Sequence, residues 1–146
     1  MNTTNEDTKN LLRECSSGVK MGITAIDDVL DRVESDELYD LLRDSRNEHD
    51  KIEGEIKTLL DHMGDDGSEE HPVAQEMARM KTGAKLVVER SDSAIADILT
   101  DGCNTGVKSL HRYLNKYEKA DEQSREITRR LVNIEERLSV DMRSFL

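Results

Sequence analysis

The amino-acid sequence predicts an all-α protein in which two antiparallel helical hairpins form a four-helix bundle. Apolar residues recur three and four positions apart along almost the whole chain, which is the pattern of helices with one face in a core. The chain contains a single proline, Pro72, and its glycines cluster where chain reversals are expected. No segment shows the sustained alternation of polar and apolar residues that indicates a strand.

The length and composition indicate one soluble domain spanning residues 1–146. With 36% charged and only 3% aromatic residues, its core must consist of Leu, Ile, Val, Met and Ala. Uncharged runs are far shorter than the roughly 18 residues of a membrane span, and the first eight residues do not resemble a signal segment. The formal charge of −11 argues against binding to nucleic acid or an anionic membrane. Two cysteines are too few for a disulfide scaffold, so we expect a reducing, cytoplasmic location.

The first predicted hairpin covers residues 8–63, with helices at about 8–33 and 36–63. Its second helix follows Ser35, a good N-cap residue. Because the link between the helices is short, they must lie antiparallel. The predicted inward residues are Leu12, Cys15, Val19, Gly22, Ile23, Ile26, Leu30, Val33, Leu38, Leu41, Leu42, Ser45, His49, Ile52, Ile56, Leu59 and Met63.

A crossover at about residues 64–93 separates this hairpin from a second one at 94–146. The crossover begins as an acidic loop and continues, after Pro72, as a shorter fifth helix at about 73–90. The second hairpin has helices at about 94–119 and from 121 to the end of the sequence. Its predicted inward residues are Ile98, Leu99, Cys103, Gly106, Val107, Leu110, Leu114, Tyr117, Ile127, Leu131, Ile134, Leu138, Met142 and Phe145.

A short internal repeat relates the two hairpins. Residues 15–20 read CSSGVK, and residues 103–108 read CNTGVK, at a constant shift of 88 positions. Each copy lies at the same point of its own hairpin. A 26-residue helix is about 39 Å long at ~1.5 Å per residue, and the crossover has enough residues to run back along that length. The second hairpin can therefore pack inverted on the first, related to it by a pseudo-twofold axis.

This order of hairpin, long crossover and hairpin resembles the ferritin-like superfamily. More narrowly, the two copies of the motif at residues 15–20 and 103–108, with His49 on the second helix, resemble uncharacterised bacterial ferritin-like proteins. In those proteins a Gly-containing motif recurs in the two halves. The resemblance covers nearly the whole chain and implies a bundle with one crossover.

The sequence lacks the ligand pattern of a carboxylate-bridged dimetal centre, which needs Glu-x-x-His on two helices and an inward Glu on each of the other two. The inward positions of the repeat that would carry bridging carboxylates are Val19 and Val107, and Arg46 and Arg137 would add positive charge. The residues three positions before the four histidines are Arg46, Leu59, Ser68 and Lys108, so no Glu-x-x-His occurs. We therefore predict no metal-ligating, catalytic or cofactor-binding residue.

His49 and the two cysteines are the polar residues of the predicted core that a metal-binding or redox site could use in the absence of a dimetal centre. We expect His49 to be a satisfied histidine, hydrogen-bonded to a carboxylate such as Asp141, and the alternative is a lone metal ligand. Cys15 and Cys103 occupy equivalent inward positions, and we expect both to be buried, inert thiols. The alternative is a contact between them near the pseudo-twofold axis.

For function, the sequence favours a non-catalytic structural or interaction module, because an intact helical architecture encloses an interior poor in metal ligands. The alternative is a metal-binding or redox/stress-related protein that uses His49 with nearby carboxylates, or Cys15 with Cys103. A third hypothesis is an assembly protein, such as a coat or stress-associated subunit, that buries a helix face in an oligomer. We therefore expect another copy of the chain or another protein as partner, and no cofactor, nucleic acid or membrane.

Overall fold

The computed structural model describes residues 3–65 and 91–146, and within these ranges it contains only helices and turns. Helix α1 is Thr4–Leu30 and α2 is Asp36–His62; α3 is Asp92–Lys116, and α4 is Glu122–Asp141, which continues as a 3-10 turn at Met142–Phe145. The prediction of an all-α bundle with four long helices is confirmed for this part of the chain. The shorter helix predicted at 73–90 lies outside the described residues.

Each long helix starts at a side-chain N-cap, and these caps correct two predicted starts. The hydroxyl of Thr3 accepts the N–H of Glu6, whose carboxylate returns to the N–H of Thr3, so α1 begins at Thr4 rather than near residue 8. Ser91 caps α3, which therefore begins before residue 94. The remaining caps are Ser35 for α2 and Asp121 for α4.

Hydrogen bonds at the two ends of the bundle define the directions of the helices. The carboxylate of Asp92 accepts the N–H groups of Glu34 and Ser35, both at 2.9 Å, so α3 begins beside the turn between α1 and α2. At the opposite end, Asp7 and Thr8 accept N–H groups from the turn between α3 and α4. Helix α1 is therefore antiparallel to α2 and α3 and parallel to α4. The chain leaves α2 at one end of the bundle and enters α3 at the other.

The core formed by the described helices consists of two clusters stacked along the bundle. The Cys15 cluster lies toward the start of α1, and the Cys103 cluster lies toward the turn between α1 and α2. Buried members of the Cys15 cluster include Leu11, Leu12, Cys15, Val19, Ile52, Ile56, Leu110, Leu114, Ile127 and Leu131. Buried members of the Cys103 cluster include Ile26, Leu38, Leu42, Ile95, Ala96, Leu99, Cys103, Leu138 and Met142. Within the described residues, no helix is both long and apolar enough to span a membrane.

Candidate functional site

A buried polar pair lies between the two core clusters, where α2 contributes His49 and α4 contributes Glu135. His49 Nε2 is 2.7 Å from Glu135 Oε1, and the two residues are only 1% and 9% exposed. His49 comes one helical turn after Ser45 on the inward face of α2, so its Nδ1 reaches the carbonyl oxygen of Ser45 at 2.7 Å. Both ring nitrogens of His49 therefore have hydrogen-bond partners inside the protein.

These two contacts determine how many protons the pair holds. A carbonyl oxygen can only accept, so Nδ1 of His49 carries a hydrogen that it donates to Ser45. Nε2 faces a carboxylate oxygen at hydrogen-bond distance, and this contact also requires a hydrogen between the two atoms. The pair therefore holds two hydrogens, one on Nδ1 and one between Nε2 and Oε1, and has a net charge of zero.

The electrostatic surroundings favour the charged imidazolium. Burial is the largest single influence and by itself lowers the pKa of His49. The hydrogen bond and negative charge of Glu135, together with the Ser45 carbonyl and the charge of Glu48, outweigh burial and raise the pKa of His49 above its ordinary value of 6.5.

Two glycines make room for the pair on the neighbouring helices. A Cβ atom added to Gly22 of α1 would lie 3.2 Å from both Cδ2 and Nε2 of His49, which is tighter than an ordinary contact. A Cβ added to Gly106 of α3 would lie 3.6 Å from Oε2 of Glu135, an ordinary van der Waals distance. Gly22 is therefore the position at which a larger residue would have to displace His49 by a few tenths of an ångström.

A small cavity of about 40 Å³ adjoins the pair on the side of the Cys103 cluster. All four helices line it, with Gly22 from α1, His49 from α2, Cys103 from α3 and Glu135 from α4 among the lining residues. Cys103 and Glu135 line the same cavity, so the one carboxylate acts on both the imidazole and the thiol. Burial and the charge of Glu135 raise the pKa of Cys103, which keeps it a thiol.

Cys15 lies in a different environment from Cys103. Its sulfur is 3.2 Å from the hydroxyl of Thr128, and that hydroxyl already donates to the carbonyl of Ser124 at 2.8 Å. The Cys15 thiol is therefore the donor to Thr128. Burial is the largest influence on Cys15 and raises its pKa to about 12. Both cysteines are buried and free, as expected from the sequence, and they belong to separate clusters.

The expectation that Asp141 is the partner of His49 is wrong. Asp141 is exposed and lines an open groove of about 400 Å³ between α2 and α4, whereas Glu135 reaches the imidazole. The reason is helical phase, since Asp141 is six residues beyond Glu135 and projects from a different side of α4.

Two arginines that we expected to add positive charge at the centre lie at the surface instead. Arg46 forms an ion pair with Asp27, and Arg137 forms one with Glu48. The inward position predicted for Val19 is confirmed, because its side chain is completely buried, whereas Val107 is only partly buried.

The importance of Glu135 was not recognised from the sequence, although one signal was present. Ser35 and Asp121 cap α2 and α4, and His49 and Glu135 each lie 14 residues after their cap. The two residues are thus at equivalent points of the two hairpins. Aligning the hairpins on their second helices, at a shift of 86 rather than 88 positions, matches His49 with Glu135.

No protein-family model, curated protein or solved structure matches this chain. The site must therefore be interpreted from its own chemistry. Among residues 3–65 and 91–146, no group of three His, Cys, Asp or Glu side chains has a geometry that could hold a metal ion. The arrangement instead provides a neutralised ion pair, a protonated thiol and a small cavity.

Proposed function

We propose that this protein is a non-catalytic, ferritin-like helical module that acts as a structural or interaction component. In it, an internal His49–Glu135 ion pair takes the place of a dimetal centre. The observation that carries the proposal is the engagement of both ring nitrogens of His49, with Nδ1 on Ser45 and Nε2 on Glu135. A metal ligand needs an unprotonated nitrogen, and neither nitrogen of this imidazolium is available.

The ferritin-like part of the proposal is supported by the directions of the helices. Helices α2 and α3 are parallel, which follows from the contact between Asp92 and the turn between α1 and α2. One long crossover between two antiparallel hairpins produces this arrangement. The N-caps of α1 and α3, Thr3 and Ser91, are separated by the same 88 residues as the two sequence motifs. This spacing supports two hairpins related by a pseudo-twofold axis.

The residues at the centre do not fit a dimetal group. Such a group takes carboxylate or histidine ligands from all four helices. Here α1 and α3 present Gly22 and Gly106 toward the pair, and α3 adds the Cys103 thiol rather than a carboxylate or histidine. The two remaining donors, His49 and Glu135, are hydrogen-bonded to each other. We therefore assign no chemistry to a metal at this position.

The proposed role requires a stable scaffold and a partner, for which we propose another copy of the chain or another protein. The net charge of −11 disfavours anionic partners. The two free cysteines support a reducing compartment such as the cytoplasm, where unpaired thiols persist.

Elemental analysis and metal titration test the proposal. Protein purified without a chelator is expected to contain substoichiometric iron, manganese and zinc, and its melting temperature is expected not to change when each metal is added. A metal that bound the folded state at 100 times its dissociation constant would stabilise the protein by about 2.7 kcal/mol. Stoichiometric metal in the parent protein that is lost in His49→Leu would overturn the proposal.

A further inference from the structure

We propose that the His49–Glu135 pair is a pH-sensitive lock, meaning that it holds the half of the bundle that contains Cys103 in its packed conformation. A single proton shared by the two side chains keeps this lock closed, and loss of that proton in alkaline solution opens it. The inference goes beyond the scaffold role, because it assigns a conformational response to the centre. It stands on the geometry of the pair: a distance of 2.7 Å, burial of both residues and the acceptor contact on the second ring nitrogen.

Loss of the proton converts an attraction into a repulsion. The imidazole keeps the hydrogen on Nδ1, because the Ser45 carbonyl oxygen accepts it at 2.7 Å, whereas the Ser45 hydroxyl, which could donate to a bare nitrogen, is 3.5 Å away. Deprotonated Nε2 would then point a lone pair at the negatively charged Glu135 Oε1. Two acceptors cannot remain 2.7 Å apart in a buried site, so the side chains must separate or admit water.

Among the residues that the structure describes, the groups around the pair offer no substitute cation. Helix α1 presents Gly22, and α3 presents the neutral thiol of Cys103. On α2 the charge that acts on His49 is that of Glu48, which is paired with Arg137 at the surface. Within residues 3–65 and 91–146, no lysine or arginine forms an ion pair with Glu135, whose cationic partner is His49.

The direction of the response follows from the raised pKa of His49. A histidine whose pKa is higher in the folded protein stabilises the fold fully below its unfolded pKa. This stabilisation is lost as the pH rises through the folded pKa, which lies above the ordinary value of 6.5. The lock is therefore closed in mildly acidic solution and opens toward alkaline pH.

The two cysteines provide a reporter and an internal control. Cys103 lines the cavity that adjoins the pair, together with the carboxylate that binds His49, so opening of the lock exposes it. Cys15 bonds to Thr128 in the other core cluster, and it is not among the described residues that line the cavity beside the pair. Two single-thiol variants separate the two responses. Cys15→Ser leaves Cys103 as the thiol that can be labelled, and Cys103→Ser leaves Cys15. Serine retains a hydroxyl donor at each position.

The variant Glu135→Gln is the matched control for the proton. Its amide N–H can donate to the Nε2 of a neutral imidazole, and its amide oxygen can accept from Cys103, so the pair no longer needs the proton. A second variant, His49→Gln, removes the titrating ring and keeps a donor for Glu135. Either variant suffices if the other fails to fold.

The experiment measures thiol labelling by a maleimide from pH 6 to pH 9, together with the ring nitrogen NMR shifts of His49. Thiolate formation alone raises the labelling rate about tenfold per pH unit in every protein. With Glu135 present, we expect Cys103 labelling to rise more steeply than this across the titration of His49. Cys15 labelling, and Cys103 labelling in either glutamine variant, should show no such excess. An equal pH dependence in all the proteins while His49 deprotonates, or a His49 that is neutral below pH 6.5, would overturn the proposal.

Discussion

The two cysteine-bearing clusters begin from the same sequence motif but have different chemistry. Cys15 and Cys103 stand at the same position of the repeated motif, and both thiols are buried. Cys15 meets the neutral hydroxyl of Thr128, whereas Cys103 meets the carboxylate of Glu135, which in turn binds His49. The difference shows that the motif specifies an inward thiol, whereas the facing residue of α4 decides its electrostatic environment.

The largest expected effect comes from removing half of the ion pair. His49→Leu would leave the Glu135 carboxylate buried without its cation, and we expect a loss of about 3–5 kcal/mol in the free energy of unfolding. The double variant His49→Leu/Glu135→Leu removes both charges, and we expect it to be about as stable as the parent or more stable. Urea unfolding measures both changes.

The neutral contact in the Cys15 cluster serves as the comparison for this experiment. Thr128→Val removes the hydroxyl that meets Cys15 and keeps the shape, so we expect a loss of about 1 kcal/mol. A double leucine variant as unstable as the single one, or a Thr128→Val loss as large as that of His49→Leu, would mean that charge does not distinguish the clusters.

The contact that holds the Cys103 end of the bundle closed should have the next largest effect. Asp92 accepts two backbone N–H groups from the turn between α1 and α2, both at 2.9 Å. Because these bonds involve a charged acceptor, we expect Asp92→Ala to lose about 2–3 kcal/mol by thermal or urea unfolding. Asp92→Asn retains one acceptor oxygen and should lose less. Equal losses in the two variants would contradict a hydrogen-bonding role.

Two glycines of α1 offer a smaller but sharper test of the close approach to His49. Gly18 has open space around its Cβ position, so Gly18→Ala should stabilise the protein by about 0.5–1 kcal/mol through helix propensity. Gly22→Ala would press a methyl group against an imidazole held by two hydrogen bonds. We expect it to be about 1–3 kcal/mol less stable than Gly18→Ala, as measured by urea unfolding. Equal stabilities would show that the imidazole is free to move away.

A surface ion pair between α2 and α4 should have the smallest effect. Arg130 donates two hydrogen bonds to Glu55, at 2.9 and 2.7 Å, but both side chains are well exposed. We expect Arg130→Ala to cost about 1 kcal/mol or less, and the loss should shrink in high salt.

The pH dependence of this surface pair runs opposite to that of the His49 lock. The hydrogen bond and charge of Arg130 hold the pKa of Glu55 below its ordinary value of 4.5. The contribution of the pair is therefore present above that value and is lost as the pH falls through the folded pKa. Unfolding curves of the parent and Arg130→Ala proteins should converge in acid. A difference that persists in acid would assign the effect to lost packing.

The helices themselves were largely predictable, because their signals are local. The three- and four-residue spacing of apolar residues identified the inward faces, and Ser35 marked the start of α2. The predicted start of α1 near residue 8 was late because the capping box of Thr3 and Glu6 precedes the apolar pattern. A capping box can be read from sequence, so that error was avoidable.

The sequence by itself determined that the chain is helical, that it has four long amphipathic segments and that His49 and both cysteines face inward. Only the tertiary structure decided which residues face them, because partners on different helices are set by the rotation and axial offset of whole helices. Glu135 rather than Asp141 meets His49 through that geometry. The charged state of the centre follows from this pairing, since a buried imidazole is protonated or neutral according to the group placed against it.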